Sequence, residues 1–273
     1  MNGAKVVVVG RDVHVLQGAA DVCVRREQCN GGSRLICHCR DGGTDGMGAH
    51  QDKLTIRFHW SQSVPDPKHS PAAERNRQPI LEALRHVLPV QGAALEIASG
   101  TGQHVAWFAA GLPEWNWQPT DAQADGFASI AWWCADASVA NVKRPVVLDV
   151  MAPHWPSDGE EFSARFDAIY CANMLHISPW ATCAALMGGA ARYLAARGVL
   201  ITYGPYLERD VPTSQGNLDF DVSLRETNAD WGIRALDAVT HHAALAGLRL
   251  SARIEMPANN LLLVFKREDF TSR

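Results

Sequence analysis

Residues 93–98 form a short apolar run carrying one acid, Glu96; Ser99-Gly100-Thr101-Gly102 follows at once, and residues 105–110 then read as helix. Strand, glycine turn and helix make the first half of a βαβ unit, which commits the chain to a parallel sheet with helical crossovers. The alternation continues downstream, with strands expected at 117–120, 146–150, 166–172 and 199–203 and helices at 124–140 and 181–195. Upstream, Ser70-Pro71 supplies an N-cap and a proline at the first helical position. Ile80, Leu81, Leu84, Val87 and Leu88 then recur at helical spacing, predicting a helix to about Pro89 that is broken or kinked at Pro79. Near the end, a helix at 236–246 leads to two apolar runs, 248–256 and 261–266, joined by the turn-prone Pro257-Ala258-Asn259-Asn260. That is a β-hairpin appended to the sheet.

A chain of 273 residues has room for one large domain or two small ones. No uninterrupted apolar stretch approaches the roughly 18 residues of a spanning helix, so no membrane segment is expected. The net charge of −4 offers no cationic field to nucleic acid or anionic lipid, which disfavours both as partners. Residues 1–60 differ from the rest: they hold nine of the 22 glycines, four of the seven cysteines and none of the 14 prolines. They read as a poorly ordered Gly/Cys-rich extension, followed by a linker at 61–69 and a domain at 70–273. Leu54, Ile56 and Phe58 alternate with polar neighbours and are strand-like. The cluster Cys23, Cys29, Cys37, His38 and Cys39 has intervals of five, seven and one residues, which match no common zinc spacing, so no metal is expected. Sparse cysteines and the lack of a signal-peptide pattern in the opening residues suggest a reducing, cytoplasmic setting.

In an open parallel sheet ligands bind beyond the carboxyl ends of the strands, so the loop from Glu96 to His104 is the first candidate site. Gly100 and Gly102 allow a ligand close to the main chain, and the following helix offers free N–H groups. Val105 stands where a dinucleotide fingerprint needs Gly or Ala, and no Lys follows as in a phosphate-cradling loop. Glu96 would repel a pyrophosphate and attract an ammonium or sulfonium.

Glu96-x-x-x-Gly100-x-Gly102 resembles motif I of the class I S-adenosylmethionine-dependent methyltransferases, with Ala98 where many members have a first glycine. More narrowly, Ser70-Pro71-Ala72-Ala73-Glu74-Arg75-Asn76, the segment from Glu96 to His104, and Pro257-Ala258-Asn259-Asn260-Leu261 are similar to the methyltransferase-like protein 26 family (domain of unknown function 938). The likeness covers residues 69–267 and implies a Rossmann-like, seven-stranded, mostly parallel sheet with an antiparallel last strand. It implies that Gly100 and Gly102 line the methionine end of S-adenosylmethionine and that Glu96 orients it, directly or through water. Asp121 matches the acid that accepts the ribose hydroxyls, Asp149 the residue on the adenine amine, and Met151 a packing contact on the ring. Asn173, Met174 and His176 fall where sulfonium and substrate meet. Ala172-Asn173-Met174-Leu175 departs from the Asn-Pro-Pro-aromatic motif of enzymes that methylate adenine amines, which disfavours DNA adenine methylation.

Each residue also has a plainer role open to it: Glu96 and Asp121 as helix caps, Asp149 as a loop acid, His104 and His176 as packed histidines. Residues 205–232 form a long connection rich in acids and hydroxyls, expected to make a lid together with the helix start from Ser70 to Arg77, with Tyr206 and Asp219 as substrate contacts, or else to be a solvated excursion. The function expected is in-line methyl transfer to a small-molecule acceptor, with a protein acceptor also open and His176 as base if a hydroxyl or thiol is methylated. The alternatives are a catalytically silent methyltransferase-like binding protein and, weakened by Val105, an NAD-dependent oxidoreductase.

Overall fold

The computed structural model describes residues 67–268 together with the backbone strands within residues 5–39. Two compact units divide the chain at residues 63 and 64. In the first, β1 (Lys5–Val9), β2 (Asp12–Gln17), β3 (Ala20–Cys29) and β4 (Gly32–Cys39) pair antiparallel in sequential order. The expectation of poor order concerns a stretch of which only these strand backbones are described. The side chains of the Cys23 to Cys39 cluster, and the strand-like residues Leu54, Ile56 and Phe58, lie outside the described residues.

The second unit opens with α1 (Pro71–Val87), capped as expected by Ser70, whose Oγ accepts from the Ala73 N–H at 3.2 Å. Pro79 neither breaks nor ends this helix. Proline removes one helical hydrogen bond, and the buried Ile80, Leu81 and Leu84 immediately after it hold the helix on the sheet. Then come β5 (Gly92–Ile97), α2 (Gln103–Gly111), β6 (Trp115–Asp121), α3 (Phe127–Asp136), β7 (Val146–Val147), β8 (Phe166–Ala172), α4 (Ala181–Tyr193) and β9 (Leu194–Leu207). The chain closes with α5 (Gln215–Thr227), β10 (Arg234–Ala235), α6 (Leu236–Leu245), β11 (Leu248–Met256) and β12 (Asn260–Arg267).

Sheet order is β11-β12-β9-β8-β5-β6-β7, with β10 added in parallel to β9. From β5 the chain steps outward to β6 and β7, then returns to pair β8 on the other side of β5. The order therefore reverses between β5 and β8, which opens a crevice at their carboxyl ends. Only β12 runs against its neighbours, pairing antiparallel with both β9 and β11.

Each face of the sheet carries its own core. Ile97, Ile169, Leu200 and Leu263 pack with α4 and α6 on one side. On the other, Trp117, Tyr170, Ile201 and Val264 pack with Leu81, Leu84, Val105, Phe108 and Ile130 of α1, α2 and α3. Register places Glu96 beside Tyr170, so its side chain points into this second face.

The connection expected to run irregularly over 205–232 instead contains α5. Its helical signal is hidden because Leu218, Phe220, Val222 and Leu224 fall two residues apart, a strand-like period, and only Leu224 is buried. Ser214 caps the helix through the Asn217 N–H. Two expected elements are shorter than predicted: the strand at 146–150 stops at Val147, and the helix at 124–140 begins as a 3-10 turn and ends at Asp136. No described helix is long and apolar enough to cross a membrane.

Candidate functional site

The loop leaving β5 is knitted to the end of β6. The Ser99 N–H donates to the Thr120 carbonyl at 2.8 Å, and the Thr120 hydroxyl donates to the Glu96 carbonyl at 2.7 Å. The Thr120 N–H in turn donates to Ser99 Oγ at 3.1 Å. Next to these, Asp121 Oδ2 accepts the Gly100 N–H at 2.9 Å, so this acid fixes the glycine turn and keeps Oδ1 for another partner.

The two glycines serve different ends. A Cβ on Gly100 would meet nothing nearer than 4.0 Å, which leaves its backbone open to a ligand. A Cβ on Gly102 would stand 2.5 Å from the backbone of Ile130, so Gly102 lets α3 approach the turn. Ala98, standing where the motif often has glycine, adopts φ +55°, a left-handed conformation that costs an alanine energy.

Glu96 is the most unusual group here. It is 1% exposed, and its Oε2 has no hydrogen-bond partner. Burial pushes its pKa up to about 7, with Ser99 opposing the shift and the charge of the nearby Asp121 adding to it. A buried carboxylate left half-satisfied is costly unless a cation or a donor meets it.

The start of α1 is strapped over this loop. Gln103 accepts the Ser70 N–H at 2.6 Å and donates to Glu74, while Asn76 bonds His104 Nε2 at 2.7 Å. The Lys68 carbonyl accepts from the Trp133 indole, and its ammonium pairs with Asp125 at 2.7 Å. Asn76, Gln103 and Tyr170 thus join the site without having been singled out. The family-like segments Ser70 to Asn76 and Glu96 to His104 already contained the first two of them. Burial, then the charge of Arg77, lowers the His104 pKa to about 4.

The exit of β8 forms the other wall. Asn173 sits at φ +58°, donates its N–H to the Tyr203 carbonyl at 2.8 Å and starts the 3-10 turn from Met174 to His176. Met174 is half-buried and accepts a hydrogen bond from Ser178. His176 is 1% exposed with neither ring nitrogen partnered; burial, and next the charge of Arg234, lower its pKa to about 3. Its ring lies against Gly204, where a Cβ would come 2.1 Å from Nε2, and edge-on to Tyr206 at 5.5 Å. Arg234 ties this turn down by donating to the Leu175 and Ser178 carbonyls.

The remaining expected residues are spread more widely. Asp149 is exposed beyond β7, and its Oδ1 accepts the Met151 N–H at 2.9 Å; Met151 is exposed beside it. Tyr206 is buried, with its hydroxyl spent on Thr202 at 2.8 Å, so it backs His176 and presents no free polar atom. Asp219 is exposed on α5 and accepts from Gln215 within the same helix. No group of three or more metal-ligating side chains gathers among the described residues.

The solved structures similar to this one include several that are distant in sequence. An O-methyltransferase family protein from Burkholderia thailandensis is 16% identical with TM-score 0.59, over 73% of this chain and 58% of that one. The methyltransferase CalO1 of calicheamicin biosynthesis, in its SAH-bound form, is 15% identical with TM-score 0.58, over 70% and 54%. NcsB1 of neocarzinostatin biosynthesis, an O-methyltransferase in complex with S-adenosylmethionine and 2-hydroxy-5-methyl naphthoic acid, is 14% identical with TM-score 0.58, over 72% and 55%. This chain therefore spans a little over half the length of the proteins it matches. What they share with it is the α/β Rossmann-like methyltransferase fold. A family model matches residues 67–267, and the chain belongs to that family, DUF938, a family of proteins of unknown function.

Proposed function

We propose that this protein is an S-adenosylmethionine-dependent methyltransferase acting on a small-molecule acceptor, and that its likeness to methyltransferase-like protein 26 is one of kinship. The observation that carries this reading is the buried Glu96 carboxylate, one oxygen unpartnered, beside the open backbone of Gly100 at the point where strand order reverses. A sulfonium nucleoside with an amino-acid tail fits that donor set: Glu96 takes the positive end, Gly100 admits the chain, and the free Oδ1 of Asp121 takes the ribose diol. Asp149 and Met151 would flank the adenine. The names of the structural neighbours, which include S-adenosylmethionine or S-adenosylhomocysteine and a hydroxylated naphthoic acid, support the same choice of cofactor and acceptor class.

When bound, the cofactor supplies an electrophilic methyl group. This chain's residues hold the acceptor in line with it and exclude water. Alignment of this kind accounts for ~7–11 kcal/mol of barrier reduction. Asn173 and Met174 shape the meeting point at the end of β8, and α5 with Asp219 covers it. His176 is neutral and desolvated, so it accepts a hydrogen bond from an acceptor hydroxyl readily but a full proton poorly.

The test is calorimetric titration with S-adenosylmethionine and with NAD, followed by transfer of a labelled methyl group to a panel of hydroxylated aromatics. Binding of the first ligand alone is expected, with Glu96→Ala and Asp121→Ala each weakening it by about tenfold or more. Wild-type affinity in both variants would remove the site, and binding without transfer to any acceptor would favour a catalytically silent binding protein.

A further inference from the structure

Glu96 faces only neutral or negative groups. Ser99 lowers its pKa and Asp121 of β6 raises it, and Tyr170 and Cys171 of β8 and Cys134 of α3 complete its electrostatic surroundings. Next to these stand His104 of α2, edge-on to Tyr170 at 6.0 Å, and Tyr203 of β9; the nearest cations, Arg77 and Arg75, act on His104 and Tyr203. The Tyr170 hydroxyl, on the same face and at the same register as Glu96, is likewise buried without a partner. Glu96 is therefore a buried acid with an unpartnered acceptor oxygen, beside a second acid and an unpartnered phenol, and with no cation paired to it.

We propose, resting on the cofactor reading above, that Glu96 carries a proton while the site holds no cofactor and surrenders it when the cofactor's positive charge arrives. Uptake is then coupled to proton release. The O–H bond of the carboxylic acid breaks, its electron pair stays on the carboxylate, and the proton passes to buffer; no other reactant is needed. Burial sets this exchange near neutrality, at about 7. The neighbours do not share it, because the thiols of Cys134 and Cys171 and the Tyr170 phenol are all pushed up while His104 is already neutral above about 4. Cofactor affinity accordingly falls as pH drops below 7, in proportion to the ionised fraction of Glu96.

The experiment is calorimetry of the full chain at pH 7 and pH 6 in two buffers of different ionisation enthalpy. Both lie below the ~7.7–8.0 at which free α-amino groups titrate. S-adenosylmethionine is expected to release roughly half a proton at pH 7 and to bind about fivefold more weakly at pH 6. Methylthioadenosine, which lacks both the ammonium and the sulfonium, should release none. Glu96→Gln, its fold checked by circular dichroism, should abolish the release. Proton-free binding of S-adenosylmethionine with unchanged affinity, or release that persists in Glu96→Gln, overturns the coupling alone. Failure to bind S-adenosylmethionine at either pH overturns the cofactor reading with it.

Discussion

Glu96 and His176, two candidate site residues with unpartnered polar atoms, depart from what stability alone would select. Both are buried with unpartnered polar atoms, and each is disfavoured in its charged form by desolvation. For Glu96 the sign follows from its raised pKa. Between about 4.5 and 7 the folded protein binds the extra proton, so stability falls as pH rises through that window. At pH 8 the ionised carboxylate costs up to about 3 kcal/mol. Glu96→Gln is therefore expected to raise the melting temperature at pH 8 and to flatten the decline between pH 5 and 8, while cofactor binding suffers; denaturation curves across pH would contradict this if the variant were less stable throughout. Gly204 offers a second test. Alanine there would bring a Cβ 2.1 Å from the His176 ring and would also have to hold φ +156°, costing about 1–3 kcal/mol together; in a His176→Ala background the part due to the ring should vanish and the backbone strain should remain. Additive losses in the double variant would mean that the ring is not the obstacle.

At the scale of elements, α5 stands apart from the other helices. Its first turn is held by Asn259 at the β11–β12 turn, through the Ser214 N–H and the Asn217 amide. Its middle is held by Asp221, which accepts the Ile233 N–H, and Gly232 bonds in turn to the His176 carbonyl. With only Leu224 buried, it should open at low free energy: its amides should exchange with solvent faster than those of α4. If it is a lid, cofactor should slow proteolysis between residues 205 and 232; identical cleavage rates with and without S-adenosylmethionine would show that it does not respond. The same weak burial explains why this helix was illegible in the sequence. Periodicity reports the contrast between a buried and an exposed face, and α5 has almost no buried face to report. By contrast, β8 and the C-terminal hairpin lie where the apolar runs put them: β8 and β12 are inner strands buried along most of their length, and the edge strand β11 is joined to β12 by the short turn at residues 257–259. Pro79 misled for another reason: its cost to α1 is local, and packing on the sheet outweighs it.

For the molecule as a whole, the glycine turn foretold the architecture because a strand, a tight turn and a helix admit few arrangements. The reversal of strand order beside β5 sets the loop from Glu96 to Gly100 between the end of β6, with Asp121, and the end of β8, with Asn173, although these three stretches are far apart in the chain. Sequence reasoning reached the residues at strand ends because topology decides their position. It could not see that Gly102 serves helix packing or that the Tyr206 hydroxyl is spent in the core, since both depend on which neighbour comes within reach. The central claim is that the acid and the open turn form a berth for a cationic sulfur nucleoside. A crystal structure of the protein soaked with S-adenosylmethionine tests it most directly. The account predicts the methionine end against Gly100 with its charge facing Glu96, and the ribose on Asp121; cofactor bound elsewhere, or a phosphate group in that recess, would contradict it.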